Sequence, residues 1–179
     1  MNVSAKKAVF GIVLSLVMIG AAAPTIYWFI AQALDHALGI EHLGDTPILL
    51  ILAAFSFLVG VFWVSWAYTY LLFVGKGLPL EVFGTAFHPT QVLVTTGPYA
   101  YTRNPSVIGL IFLLLGVALL QRSISAFVLL PVVIAIIIPY LIIFEERALG
   151  ARFGDEYAHY RSEVPLLVPR LTPYAKAQI

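Results

Sequence analysis

Long apolar runs separated by short polar breaks make up most of this chain. The first uncharged run extends from about Ala8 to Leu34 and the second from about Pro47 to Val74. Between Pro105 and Phe144 the one charge is Arg122, inside Gln121-Arg122-Ser123. Taking that triplet as a turn leaves runs 105–120 and 124–144, each about 18 residues or roughly 27 Å of helix. A bilayer core about 30 Å thick asks for roughly 20 apolar helical residues. The pattern therefore predicts an all-α integral membrane protein with four transmembrane helices, the last two a tight hairpin. The first two runs exceed the required length, which predicts tilt or a kink, with Pro24 as the kink point of the first.

Beyond Phe144 the periodicity changes. Leu149, Phe153, Tyr157, Tyr160 and Val164 recur every three or four positions, while Arg152, Asp155, Glu156 and Arg161 take the other face. This predicts a C-terminal amphipathic helix over 145–164, lying under the membrane or over a pocket. Residues 75–104 are the longest interruption, rich in Gly and Pro. A loop beyond about 12–15 residues is usually functional or disordered. This one carries Leu78, Leu80, Val82, Phe83, Phe87, Val92, Leu93 and Val94, so it reads as a lid or pocket wall. No internal repeat is visible, and residues 1–179 read as a single membrane domain.

Composition narrows the classes. The chain is 61% hydrophobic and 11% charged, with a mean hydropathy of +0.96; soluble domains average about 45–50% and roughly 25%. A soluble globule and a disordered chain are both excluded. A net charge of +1 with dispersed basic residues excludes a nucleic-acid partner. Without cysteine there are no disulfides, thiolate metal sites or cysteine nucleophiles. His36, His42, His88 and His159 are scattered without ligand spacing, so no metal site is predicted. Lys6-Lys7 followed by an apolar run and Ala21-Ala22-Ala23 has the outline of a signal peptide, but the run continues to Leu34.

Four spans place both termini on one side. Lys6, Lys7, Lys76, Arg103, Arg147, Arg152, Arg161, Arg170 and Lys176 fall there, and Arg122 alone falls opposite. The 35–46 loop holds Asp35, Glu41 and Asp45 without Lys or Arg. The positive-inside rule puts both termini and the 75–104 segment in the cytoplasm, as in an inner or plasma membrane protein. Trp63, Trp66, Tyr68 and Tyr70 then read as an interfacial belt. Gly109 and Gly116 read as sites of close helix packing.

Two polar groups break the apolar pattern on that cytoplasmic side. Asn104 is a good helix N-cap and Pro105 suits the first helical position. The N–H groups of such a helix start hold an anion, and Arg103 reinforces them. Alone, the pair is better read in ordinary terms: Asn-Pro starts many helices, and an arginine at a membrane edge meets lipid phosphate. Glu145 and Glu146, at the end of the fourth run, oppose the helix dipole and repel each other. They need a cation, from Arg103 or Arg147 or from a ligand; a solvated helix end is the plain alternative.

The combination is more specific than its parts. Gly97-Pro98-Tyr99, then Arg103-Asn104-Pro105 with Gly109 beyond, a two-span hairpin, Glu145-Glu146, and Phe153-Gly154-Asp155-Glu156-Tyr157 follow one another. Over residues 75–170 this resembles the isoprenylcysteine carboxyl methyltransferase family and its broader relatives, the membrane phospholipid N-methyltransferases. The resemblance implies S-adenosylmethionine as cofactor, with S-adenosylhomocysteine as product, bound at the cytoplasmic face. It implies cofactor contacts from Gln91, Leu93, Val94, Gly97, Tyr99, Arg103, Asn104, Pro105, Glu145 and Glu146, with Arg103 and Glu146 as the catalytic pair. It also implies a lipophilic or lipid acceptor offering a carboxylate, amine or thiol. The chain departs from the pattern at Asn104 and Gln91, where many members carry His, and at Ser106-Val107. Two rivals differ in class. A non-catalytic membrane scaffold with a degenerate site would use its polar motifs only for internal ion pairs. A transporter would carry charges near the bilayer midplane, which the runs lack.

Overall fold

Breaks in the apolar pattern become breaks in the helices. The computed structural model describes residues 13–14, 17–77, 81–82, 85–86 and 90–175. The start of the first run, Lys6, Lys7, Lys176, and Leu78, Leu80, Phe83, Phe87 and His88 lie outside the described residues. Helix α1 is Ala23–Leu38, preceded by a π turn at Met18–Ala22. Pro24 has no N–H, and its ring crowds the carbonyl of Gly20, so the wider turn forms one step before the expected kink point. Gly39 ends α1 in the left-handed conformation.

Helix α2 spans Pro47–Phe73 and is long and apolar enough to cross a membrane. Helix α3 spans Pro105–Gln121. The two helices approach closely where both lack side chains. A Cβ on Gly109 would lie 2.5 Å from Val64 and 2.8 Å from the Gly60 carbonyl. A Cβ on Gly116 would lie 2.9 Å from the Phe57 ring, so both glycines pack as expected.

Arg122, in the left-handed conformation, closes α3, and Ser123 caps helix α4, Ile124–Tyr140, by accepting from the Ala126 N–H. The Gln121-Arg122-Ser123 turn is thus the hairpin bend. Behind it Asp35 is buried, accepting from the Ser123 hydroxyl and from the Ser125 N–H at 3.1 Å. Tyr27 donates to the Ala126 carbonyl. Arg122 pairs with Asp45.

Helix α4 runs through a π turn, Leu141–Glu145, into α5, Glu146–Glu163. The chain therefore stays helical past the acids, and the expected helix end at Glu146 does not occur. Glu, Arg, Ala and Leu are good helix formers, and nothing in 145–149 stops the helix. The first break is Gly154, at φ 53°, ψ −128°, which bends α5. Tyr157, Tyr160 and Val164 on its apolar face pack against Leu93, as the spacing predicts. Within the 75–104 segment a short antiparallel ladder pairs β1, Glu81–Val82, with β2, Thr85–Ala86. Trp63, Trp66 and Tyr70 form an aromatic chain extended by Tyr101. Tyr68 belongs instead to the core with Val64 and Leu113, one turn along the face that meets α3.

Candidate functional site

Apolar helices cannot by themselves position polar groups, so the site is assembled by irregular backbone between them. The segment before α3 ends in a 3₁₀ turn, Gly97–Ala100. Gly97 has φ +60°, and a Cβ there would stand 2.3 Å from the Tyr70 ring. Only glycine lets this turn sit on Tyr70, which fixes Tyr99 in the core with Ala67 and Val94. The Tyr160 hydroxyl donates to the Tyr99 carbonyl at 2.7 Å.

A second clamp comes from residues 165–174. The Arg103 N–H donates to the Pro165 carbonyl at 2.9 Å, Arg170 N–H to Tyr101 at 2.9 Å, and Tyr174 N–H to Ala100 at 2.8 Å. The Leu166 carbonyl accepts from the Thr102 hydroxyl at 3.1 Å and from the Asn104 amide at 3.2 Å. Asn104 holds the N-cap position of α3, but its side chain makes no cap hydrogen bond. Its amide is turned to the strap, which satisfies it better than the helix end would.

The π turn does the corresponding work on the acids. One extra residue in a turn rotates all later side chains by about 100°. Glu146 is thereby buried, 4% exposed. One of its oxygens takes Arg103 Nη1 and the other lies 3.2 Å from Arg161 Nε. Arg103 is the protein partner expected from sequence; Arg161 is unexpected, and Arg147 is exposed. In a straight helix Glu146 and Arg161 would be about 22 Å apart. The Gly154 bend folds the second half of α5 back and closes that distance.

These elements enclose a cavity of about 270 Å³. Leu93, Val94, Tyr99, Arg103, Asn104, Glu145 and Glu146 line it, together with Tyr157, Tyr160, Thr90 and Arg152. Ile19, Leu110, Ile137, Tyr140 and Leu141 form its apolar side. Three residues expected in the site do not line it. Gln91 is exposed, with its N–H on the Gly75 carbonyl at 2.7 Å. Gly97 is pressed on Tyr70, and Pro105 is buried as the first residue of α3. Arg152 ties the wall together by donating to the Thr90 carbonyl and, at 3.2 Å, to its hydroxyl.

The electrostatics favour an anion at the floor. On the lining Arg103 and Arg152 balance Glu145 and Glu146, and Arg161 behind Glu146 leaves one positive charge. The Nε–H of Arg103 is buried and meets no acceptor among the described residues. A buried donor without a partner is costly, about 1–3 kcal/mol. The phenols stay protonated. Burial, then the neighbouring Glu145, pushes Tyr99 well above the usual tyrosine range. Burial, then Glu146, pushes Tyr157 up to about 12. Burial raises Tyr160 further. No three His, Asp or Glu side chains among the described residues gather as metal ligands would.

Fold and site define a helical membrane protein with a polar-lined cavity beside its apolar helices. Residues 48–156 match the family described as phospholipid methyltransferase, and the chain belongs to that family. It is 28% identical to the cobalt-zinc-cadmium resistance protein CzcN of Cupriavidus metallidurans over 155 residues, 81% of this chain and 71% of that protein. It is 37% identical to the protein-S-isoprenylcysteine O-methyltransferase of Schizosaccharomyces pombe over 79 residues, 44% of this chain and 34% of that enzyme. The latter match thus spans about a third of the yeast protein's length. No solved structure matches the chain significantly.

Proposed function

We propose that the chain is a four-span, S-adenosylmethionine-dependent methyltransferase acting on a lipophilic acceptor at the cytoplasmic face of the membrane. The observation that carries this reading is the cavity floor. Arg103 and Asn104 line it at the start of α3 with Glu145 and Glu146, and apolar side chains form its other side. The residues fit the cofactor. Arg103 and the first N–H groups of α3 suit its carboxylate. Glu145 suits its ammonium or ribose hydroxyls, and Leu93 and Val94 suit the adenine. When bound, the cofactor supplies an electrophilic methyl group on a sulfonium.

The protein's part is positioning and water exclusion. Tyr99, Tyr157 and Tyr160 remain neutral and wall the pocket from solvent. Aromatic rings on a pocket wall suit a cationic sulfur. Raised phenol pKa values make them poor general bases, so the acceptor arrives already nucleophilic: an ionised carboxylate, an amine or a thiol. Ile137, Tyr140 and Leu141 belong to the apolar side, which suits an acceptor delivered from lipid. The scaffold reading accounts for the Arg103–Glu146 and Glu146–Arg161 pairs but gives the cavity beside them no purpose.

Calorimetric titration of the purified protein with S-adenosylhomocysteine tests this. Saturable one-to-one heat is expected, together with transfer of labelled methyl from S-adenosylmethionine into a membrane lipid extract. No heat with wild type removes the proposal.

A further inference from the structure

Glu146 stands between two cavities. On one side is the pocket just described. On the other is a more open hollow of about 420 Å³ in the angle of the α5 bend, lined by Gly150, Gly154, Ala158 and Arg161. Arg161 reaches through the bend to the outer oxygen of Glu146 and keeps half its own side chain in solvent, 53% exposed. The family match ends at residue 156, so Arg161 lies outside it.

We infer that Arg161 is a positioning residue that sets the charge of the cofactor pocket through Glu146. The inference rests on the proposed cofactor binding. The argument is one of charge balance. Arg103 paired with Glu146 alone would be neutral, and the carboxylate would compete with any incoming anion for the guanidinium. Arg161 draws on the second oxygen and makes the cluster of three side chains cationic. Among the charged side chains that line the pocket, Arg103 and Arg152 balance Glu145 and Glu146, so Arg161 decides its net positive charge. Arg161 is 53% exposed, so salt in solution screens its share of that charge. Arg161 touches no ligand in this arrangement; its effect passes through Glu146 to Arg103.

The consequence is selective. Only a ligand with an anionic group at the pocket floor feels Arg161. S-adenosylhomocysteine carries such a carboxylate. Methylthioadenosine has the same nucleoside and a thioether but lacks the amino-acid portion. Both are titrated into wild type, Arg161→Gln and Arg161→Lys at low and high salt. Arg161→Gln is expected to weaken S-adenosylhomocysteine about fivefold at low salt, the scale of a half-exposed ion pair. The loss shrinks below about twofold near 1 M salt, where the Debye length is about 3 Å. Methylthioadenosine affinity stays unchanged, and Arg161→Lys restores most of the loss. Equal weakening of both ligands, or a salt-independent loss, assigns Arg161 a merely structural role and overturns the inference. Unchanged affinity for both ligands overturns it too. Wild type that binds neither ligand overturns the cofactor reading itself, and this inference with it.

Discussion

Two buried carboxylates stand at opposite ends of the helices, and their partners differ in kind. Asp35, 3% exposed, accepts from the Ser123 hydroxyl and the Ser125 N–H, with His42 at 4.0 Å. All its close partners belong to the turn that it secures. Glu146, 4% exposed, is held by two arginines brought from segments 43 residues before it and 15 after. Asp35 meets neutral dipoles supplied together by one turn, 88 and 90 residues along the chain. Glu146 meets two full charges supplied by two separate segments, which leaves the cluster cationic. Burial of an acid in an apolar protein therefore has two forms, and they differ in the charge of the partners.

The comparison can be broken by removing each acid in turn. Glu146→Gln leaves Arg103 buried without its counter-charge. It is expected to lower stability by about 3–5 kcal/mol and to remove S-adenosylhomocysteine binding, read by thermal unfolding and calorimetry in the same detergent. Asp35→Ala strands the Ser123 hydroxyl and the Ser125 N–H. A stability loss of about 1–3 kcal/mol is expected, with ligand affinity unchanged. An affinity loss from Asp35→Ala equal to that from Glu146→Gln would erase the distinction between the two ends. The smallest effect concerns the pocket phenols. Their native pKa values are raised above the unfolded value of about 10, so the stability they contribute is complete below that pH. It is lost as pH rises toward about 12, the native value for Tyr157. Unfolding temperatures from pH 9 to 12 should fall less steeply in Tyr157→Phe than in wild type.

The hairpin was legible in sequence because its signals are local: one charge in a long apolar stretch, and a serine to cap the second helix. The apolar face of α5 was legible because its period is that of a helix. Arg103 with Glu146 was legible because an acid at an apolar boundary needs a cation and few were on offer. Arg161 was not, since its contact depends on the Gly154 backbone angle rather than on spacing. The π turns at Met18–Ala22 and Leu141–Glu145 left no pattern either, because one extra residue per turn does not alter hydrophobicity. The Asn104 amide was read toward the helix or a ligand and instead meets the Leu166 carbonyl, a pairing that only the folded chain displays.

That strap has a consequence for biogenesis. Residues 165–174 are made after α1 to α5, yet they hold the backbone around Arg103. The helices of a nascent chain can thus form before the segment that braces this end of the cavity exists, so the cavity is completed after its helices rather than together with them.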